Sequence, residues 1–418
     1  MTNQPPLRSN PSFRGFVGAQ FLGAFNDNLY KQLILLLAVG VLFPGADKQG
    51  LAFAVFSLPF ILFGGIAGEL SERFSKSQVM VLMKVVEIGI MGLGVFALHL
   101  RDWNAMLAVL FAMGTHSAFF GPCKYGGMPE MVNERDLLFA NSLVAMTTFL
   151  SVLLGESLAG FLMDELGANL WQAALPCVVF ACIGLGFALT IRKLPAQRPT
   201  LRLSLNPFAG MGHTLGTLWS RPALFAVVIG MSLFWFNGGV LSQAVNGLAA
   251  PDWLDIGEGQ KAQISKLRMW QSLAIVLGCL AAGPVARRVK PSLVIFGGAV
   301  TMFIAQCGLL LVGTVLTASG GAYVWTGLCL VLAGFAGALF FVPVNAYLQT
   351  AMEEGDRGRA FAANNTLNFV FIFLSGAFYA LREALGVSPA IATAAAGFIM
   401  VLYLFRARTQ LGGISFVK

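Results

Sequence analysis

From Phe16 to Phe43 the chain is almost unbroken apolar sequence for about 28 residues, and the exceptions, Asn26-Asp27-Asn28 and Lys31, stand in its middle. A helix needs about 20 such residues, at a rise of about 1.5 Å each, to cross a hydrocarbon core. A carboxylate halfway along such a helix is costly unless it meets a wet cavity or a partner charge. Asp27 and Lys31 are four residues apart, share one helix face and are expected to pair along it. That charge marks either a functional site or a structural ion pair that fixes helix packing.

Composition extends this reading to the whole chain. Of its 418 residues 57% are hydrophobic and only 11% charged, against roughly 25% charged in soluble domains. The polar surface that two or three soluble domains would need is missing. The polar stretch Met1–Gly15, with Pro5, Pro6 and Pro11, has no signal-peptide pattern, so the first apolar helix is expected to stay in the protein. Six cysteines at 123, 177, 182, 279, 307 and 329 form no CxxC pair and read as small buried hydrophobes. His99, His116 and His213 are far apart. Neither a metal site nor a cofactor is expected, no catalytic residue stands out, and the chain does not read as an enzyme.

Twelve spans are expected, at 16–43, 50–69, 79–99, 104–122, 139–163, 170–191, 223–247, 262–285, 292–316, 323–347, 362–384 and 388–406. Of the 27 Lys and Arg residues, Lys31 and Lys84 fall within spans. Lys48, Arg101, Lys261, Lys266, Arg268 and Arg382 fall on one side, and all the others on the opposite side. The bias of basic residues toward cytoplasmic loops therefore predicts cytoplasmic N- and C-termini. It also accounts for the net charge of +8 without nucleic acid as a partner. One long polar connection, 192–222, divides the chain into halves at 16–191 and 223–406. It leaves 1–15 as an N-terminal segment and 407–418 as a tail.

Internal repetition supports that division. Ser57-Leu58, Ala67-Gly68, Arg73 and Val79 recur as Ser272-Leu273, Ala282-Gly283, Arg288 and Val294. Phe119-Phe120-Gly121-Pro122 is echoed by Phe340-Phe341-Val342-Pro343, and Arg135-Asp136 with Ala140-Asn141 by Asp356-Arg357 with Ala363-Asn364. Two parallel six-helix repeats resemble the major facilitator superfamily, which implies an all-α, polytopic membrane protein with twelve transmembrane helices in two six-helix halves. The turn Gly68-Glu69-Leu70-Ser71-Glu72-Arg73-Phe74-Ser75-Lys76-Ser77 is similar to the superfamily's loop signature, with Glu72, Ser75 and Lys76 replacing its usual Asp, Gly and Arg. Gly68, Glu72, Arg73 and Lys76 are thus candidate gating residues, since ion pairs there can lock helices in one conformation and release them in another. The plainer reading is an orienting basic loop. The second-half echo, Gly283 to Arg288, has lost the acid.

A closer resemblance is to the bacterial lysophospholipid transporter family. It is carried by Gln20-Phe21-Leu22-Gly23-Ala24-Phe25-Asn26-Asp27-Asn28, by Gly121-Pro122-Cys123-Lys124-Tyr125-Gly126 and by Ala140-Asn141-Ser142-Leu143. Phe340 to Gln349, FFVPVNAYLQ, adds a fourth segment. The resemblance runs from about residue 16 to 385. It implies movement of lysophospholipids, such as lysophosphatidylethanolamine, across the bacterial inner membrane to the cytoplasmic leaflet. It also implies an acyltransferase–acyl carrier protein synthetase as the partner that restores the missing chain. None of the three histidines is followed five residues later by Asp, so the acyltransferase motif is absent and the chain is at most the transport half.

A lysophospholipid carrier needs a few polar groups for the head and an apolar wall for the tail. The candidates for the head are Asn26, Asp27, Asn28, Lys31, Lys84, Glu87, Glu156, Asn345, Gln349, Asn364, Asn365 and Asn368, with Lys124 and Tyr125 added by the resemblance. Lys31 or Lys84 can neutralise a phosphate, and Asp27 or Glu156 can meet an ammonium. Lys84 and Glu87 share a helix face at i, i+3. Thirty-six phenylalanines suit an acyl chain, although most such rings face lipid or core. The same set admits an exporter of amphipathic drugs or other small solutes, proton-coupled through Asp27 or Glu156. The span at 139–163 lacks the proline usual in proton-coupled drug exporters, which weighs against that reading. A non-transporting membrane anchor would have no need of buried charges.

Overall fold

The computed structural model describes residues 5–133, 136–201, 203, 221–257, 259–316, 320–350 and 357–411. Arg135, Arg202, Asp356 and Lys418 lie outside them, as do the side chains of Asn141, Gln349 and Ala363. Among the described residues the regular elements are all helices, joined by turns that hold two isolated bridges, Val39 with Asp47 and Val312 with Leu316. Twelve long helices follow one another among the described residues. They are α1 Pro11–Leu37, α2 Gln49–Arg73, α3 Lys76–Leu100, α4 Trp103–Met131, α5 Leu137–Leu166 and α6 Leu175–Leu189. The second series is α7 Pro222–Gly247, α8 Ala262–Arg288, α9 Pro291–Gly308, α10 Gly320–Thr350, α11 Arg357–Ala384 and α12 Pro389–Arg406.

Eleven of these are long and apolar enough to cross a membrane by length and composition among the described residues. The twelfth is α1, whose apolar run is diluted by Gln20, Asn26, Asp27, Asn28, Lys31 and Gln32. The expected boundary at its far end is corrected. Its helix stops at Leu37, not 43, because Gly40 and Gly45 take left-handed φ values of 74° and 75° and turn the chain back. The span expected to end at 122 runs through Pro122 and Pro129 to Met131. The sixth begins as a 3₁₀ segment, Gly167–Ala174, before α6 proper. Asp102 caps α4 by accepting from the Ala105 N–H at 2.7 Å, and Ser388 caps α12.

The helices sort into two compact units. One holds Met1–Ile34 with Val55–Ala209; the other holds Leu35–Ala54 with Gly210–Lys418. Within the first, α3 packs against α4 and α6; within the second, α9 packs against α10 and α12. These are matching partners in the two halves of the repeat. The first unit has a core around Phe13, Phe16, Met80, Cys123 and Met131, the second around Phe236, Val240, Ala244 and Tyr379. On α3, Leu82, Val85, Leu93 and Phe96 stay exposed along a face suited to lipid.

Helix contact in the first unit depends on missing side chains. A Cβ at Gly155 on α5 would lie 2.7 Å from the Phe25 carbonyl oxygen and 3.0 Å from the Leu29 nitrogen of α1. The two backbones therefore touch, as small residues allow in lipid. Gly155→Val should push α1 and α5 apart at a cost of at least about 1–3 kcal/mol. The thermal unfolding midpoint of detergent-purified protein should fall, and an unchanged midpoint would contradict this contact.

Candidate functional site

The close approach at Gly155 sets the neighbouring Glu156 against α1. Its Oε1 lies 3.3 Å from Lys31 Nζ, with the two side chains 15% and 10% exposed, so this ion pair is partly open. Lys31 also donates to Asn28 Oδ1 at 2.7 Å, and its ammonium lies 5.6 Å from the centre of the Phe56 ring. Asp27 instead accepts a hydrogen bond at Oδ2 from the Ser117 hydroxyl of α4. Each member of the expected same-helix pair thus has a partner on another helix.

Lys84 and Glu87 form a second, closed pair on α3. Nζ and Oε2 are 2.5 Å apart and the side chains are 1% and 0% exposed. Space for the ammonium comes from α1, where a Cβ at Gly23 would lie 2.5 Å from Lys84 Nζ. Glu87 Oε1 accepts from Asn26 Nδ2 at 2.9 Å, and the same amide donates to the Cys177 carbonyl of α6 at 3.0 Å. His116 Nε2 faces Glu87 Oε2 at 3.5 Å, and His116 Nδ1 lies 3.3 Å from Ser117 Oγ. Asp27, Ser117, His116, Glu87 and Lys84 therefore form one continuous chain across α1, α4 and α3. Histidine spacing argues only against a metal ligand at His116; the signal for its place in this chain is the His116-Ser117 polar pair in the middle of an apolar run.

Lys124 belongs to a separate group nearer the helix end. It donates to Gln20 Oε1 at 2.8 Å and Thr148 Oγ1 at 3.0 Å, and stacks 5.4 Å from the Tyr125 ring, which is exposed. In the second unit Asn368 accepts from Ser232 at 3.0 Å, Asn364 is buried, Asn345 is half-buried and Asn365 is exposed.

At the end of α2, Glu72 pairs at 3.2 Å with Arg198, and its carbonyl accepts the N–H groups of Gln197 and Arg198. Lys76 pairs at 2.6 Å with Glu130 of α4, while Arg73 lies over the Phe74 ring. Gly68 faces open space. Ion pairs at this turn therefore tie α2 to the segment after α6, and α3 to α4.

A network that sequence reading missed lies in the second unit. Asp47, in the turn between α1 and α2, pairs with Arg382 of α11. Gln49 donates to Asp47 at 3.0 Å and to the Gln243 carbonyl at 2.8 Å, and Asn246 and Arg268 continue the chain. Burial raises the Asp47 carboxyl above the usual carboxylate range, against the pull of Arg382. No cluster with the makings of a metal site occurs among the described residues.

The family model described as Major Facilitator Superfamily matches residues 16–376. The chain belongs to the Major Facilitator Superfamily. Among relatives, it is 28% identical over 401 residues to the Lysophospholipid transporter LplT of Klebsiella pneumoniae, covering 92% of this chain and 93% of that one. It is 30% identical over 359 residues to the Lysophospholipid transporter LplT of Cronobacter sakazakii, covering 83% and 82%. Among solved structures it shares the fold of a POT family transporter in complex with 5-aminolevulinic acid, with TM-score 0.73, 12% identity and 97% and 96% coverage. The xylose transporter XylE from E. coli gives TM-score 0.67 and 14% identity over 94% and 96%. In this chain the first unit thus has a charged interior, with three carboxylates, two lysines and a histidine.

Glu87→Gln should be more damaging than Lys84→Met with Glu87→Leu together. The single change leaves a buried ammonium without its carboxylate, at about 3–5 kcal/mol, whereas the double change removes both charges. Thermal unfolding of wild type and the two variants tests this; equal loss in both variants would mean that the pair is not a closed electrostatic unit.

Proposed function

We propose that this transporter moves lysophospholipids, such as lysophosphatidylethanolamine, across the bacterial inner membrane to the cytoplasmic leaflet, where reacylation follows. The basic helix ends then face the cytoplasm with both termini, and the two six-helix halves alternate access to the site. The observation that carries this reading is the partly open Lys31–Glu156 pair in the middle of two spanning helices, with an aromatic ring beside it. A zwitterionic head group can exchange partners with such a pair, its phosphate taking Lys31 and its ammonium taking Glu156. The single acyl chain stays against apolar side chains or lipid, since its burial is worth roughly 0.8 kcal/mol per CH₂. The named function of the relatives supports the same cargo. Within the first unit, Asn26, Asp27, Asn28, Lys124 and Tyr125 are proposed to meet the head group, with Lys84 and Glu87 acting behind them; within the second, Asn345, Asn364 and Asn368 are proposed to do the same. An acyltransferase–acyl carrier protein synthetase is the proposed consumer of the product.

Glu72, Arg73 and Lys76 at Gly68's turn are proposed to gate the cytoplasmic side. Glu72→Lys removes the partner of Arg198, and because both groups are well exposed the shift should be no more than about 1 kcal/mol. Cysteine accessibility on both membrane faces reads it; an unchanged pattern refutes the gate.

Uptake of labelled lysophosphatidylethanolamine into right-side-out vesicles, with amphipathic drug efflux run in parallel, tests the cargo. Lys31→Ala and Glu156→Gln each remove one charge-assisted contact of about 1.5–3 kcal/mol, so uptake should fall roughly 10- to 150-fold. Uptake unchanged in both variants, or drug efflux without lipid uptake, would reject this reading.

A further inference from the structure

In the second unit α11 and α12 both pack along α7 and scarcely touch each other. The short connection 385–388 joins them, with Gly386 at a left-handed φ of 63°. Two antiparallel helices held to a third in this way leave a cleft between them unless side chains fill it. This stretch of α12 reads Ala390-Ile391-Ala392-Thr393-Ala394-Ala395-Ala396, and its small residues leave the cleft open. A groove of about 100 Å³ results, between Leu381, Arg382 and Leu385 of α11 and Ile391, Ala392 and Ala395 of α12. Its wall is almost wholly apolar, and Leu381, Leu385 and Ile391 at its rim are more than half exposed. Both helices are long and apolar enough to span a membrane. An apolar groove on such a face is filled at least cost by an acyl chain of the bilayer.

Polar groups gather where α11 ends. Arg382 is buried two residues before that end. It pairs with Asp47, with Glu383 at 3.3 Å and with the Val387 carbonyl at 3.2 Å, yet its Nε is buried with no hydrogen-bond partner. A buried N–H in that state calls for an acceptor. Glu383 shares the guanidinium with Asp47, accepts the Asp47 N–H at 2.9 Å and is 27% exposed. Its carboxylate therefore keeps lone pairs for a donor from outside. An apolar groove, an N–H donor beside it and a half-open carboxylate match the parts of a zwitterionic lipid: a chain, ester and phosphate oxygens, and an ammonium.

We propose that this groove is a lipid site. One acyl chain of a phosphatidylethanolamine lies in it, an ester or phosphate oxygen accepts from Arg382 Nε, and the ammonium meets Glu383. The second chain stays in the bilayer beyond the exposed rim. On the orientation proposed above, the lipid belongs to the leaflet away from the cytoplasm. The site does not rest on the lysophospholipid reading: all its residues belong to the second unit, and none is among those proposed to meet the cargo's head group. Because Arg382 also holds Asp47, a bound lipid strengthens the anchoring of the turn between α1 and α2.

Native mass spectrometry of the full-length protein, offered dioleoyl phosphatidylethanolamine, phosphatidylcholine and phosphatidylglycerol in equal amounts, tests this. Choline has no N–H to donate and glycerol carries no charge, so the wild type should prefer the ethanolamine lipid by roughly tenfold or more, as one charge-assisted hydrogen bond supplies. Ala395→Phe fills the groove and should lose the bound lipid. Glu383→Gln should keep a lipid but retain the three equally; it sits at a partly exposed helix end and carries the test if Ala395→Phe does not fold. Wild-type retention in Ala395→Phe overturns the groove, and equal retention of the three lipids by the wild type overturns the head-group contacts. Lysophosphatidylethanolamine displacing the two-chain lipid at equal concentration would make the groove a cargo site and overturn the resident lipid.

Discussion

Lys84 and Glu87 are sealed within the first unit, one turn apart on α3, and their neighbours are arranged around them. Gly23 and Gly184 leave room for the ammonium, Asn26 and His116 face the carboxylate, and the Phe120 ring lies 5.5 Å from Lys84 Nζ. A buried ion pair gives little net stability over a well-packed apolar one, because desolvation offsets most of the attraction. Its effect is on arrangement. Asn26 brings α1 to α3 and α6, and His116 brings α4 to the same carboxylate. The pair thereby fixes the register in which Asp27 and Lys31 meet their own partners on α4 and α5.

The helices themselves were legible in the sequence, because long apolar runs in a chain so poor in charge have few other uses. The polar interior was only half legible. Asp27, Lys31, Lys84, Glu87 and Glu156 stand out as charges within apolar runs, and the Lys84–Glu87 pair follows from their spacing. The i, i+4 rule sees only one helix, however, so it joined Asp27 to Lys31 and missed Ser117 and Glu156 across the bundle. The end of α1 was misjudged because Val41, Leu42 and Phe43 continue the apolar run while the glycines at 40 and 45 turn it. The network from Asp47 to Arg382 depends on contacts between residues hundreds of positions apart, and spacing carries no trace of those.

The two units differ in polar character although they share a packing pattern. The interior of the first concentrates ionisable groups at mid-helix. The second uses amides, as in Gln306 donating to Asn237 at 2.7 Å and Ser232 to Asn368, and sets its arginines toward helix ends. Mid-helix charge pairs therefore belong to the first unit, whereas buried charges of the second, such as Asp47, Arg268 and Arg382, lie in a turn or toward helix ends. The two halves thus share a packing pattern and differ in the chemistry set into it.

Asn26 and Asp27 also bear on how the protein is made. The chain is synthesised from its N-terminus, so α1 reaches the bilayer before any group it bonds to. Glu87 follows Asn26 by 61 residues, Ser117 follows Asp27 by 90, and the Cys177 carbonyl follows Asn26 by 151. Until α6 emerges, the first helix holds amide and carboxylate groups that lipid cannot satisfy. It must wait in water, against the insertion machinery, or beside whichever later helix has arrived. The helix with the polar middle is thus made before the helices it bonds to, and its bonds are complete only when α6 arrives.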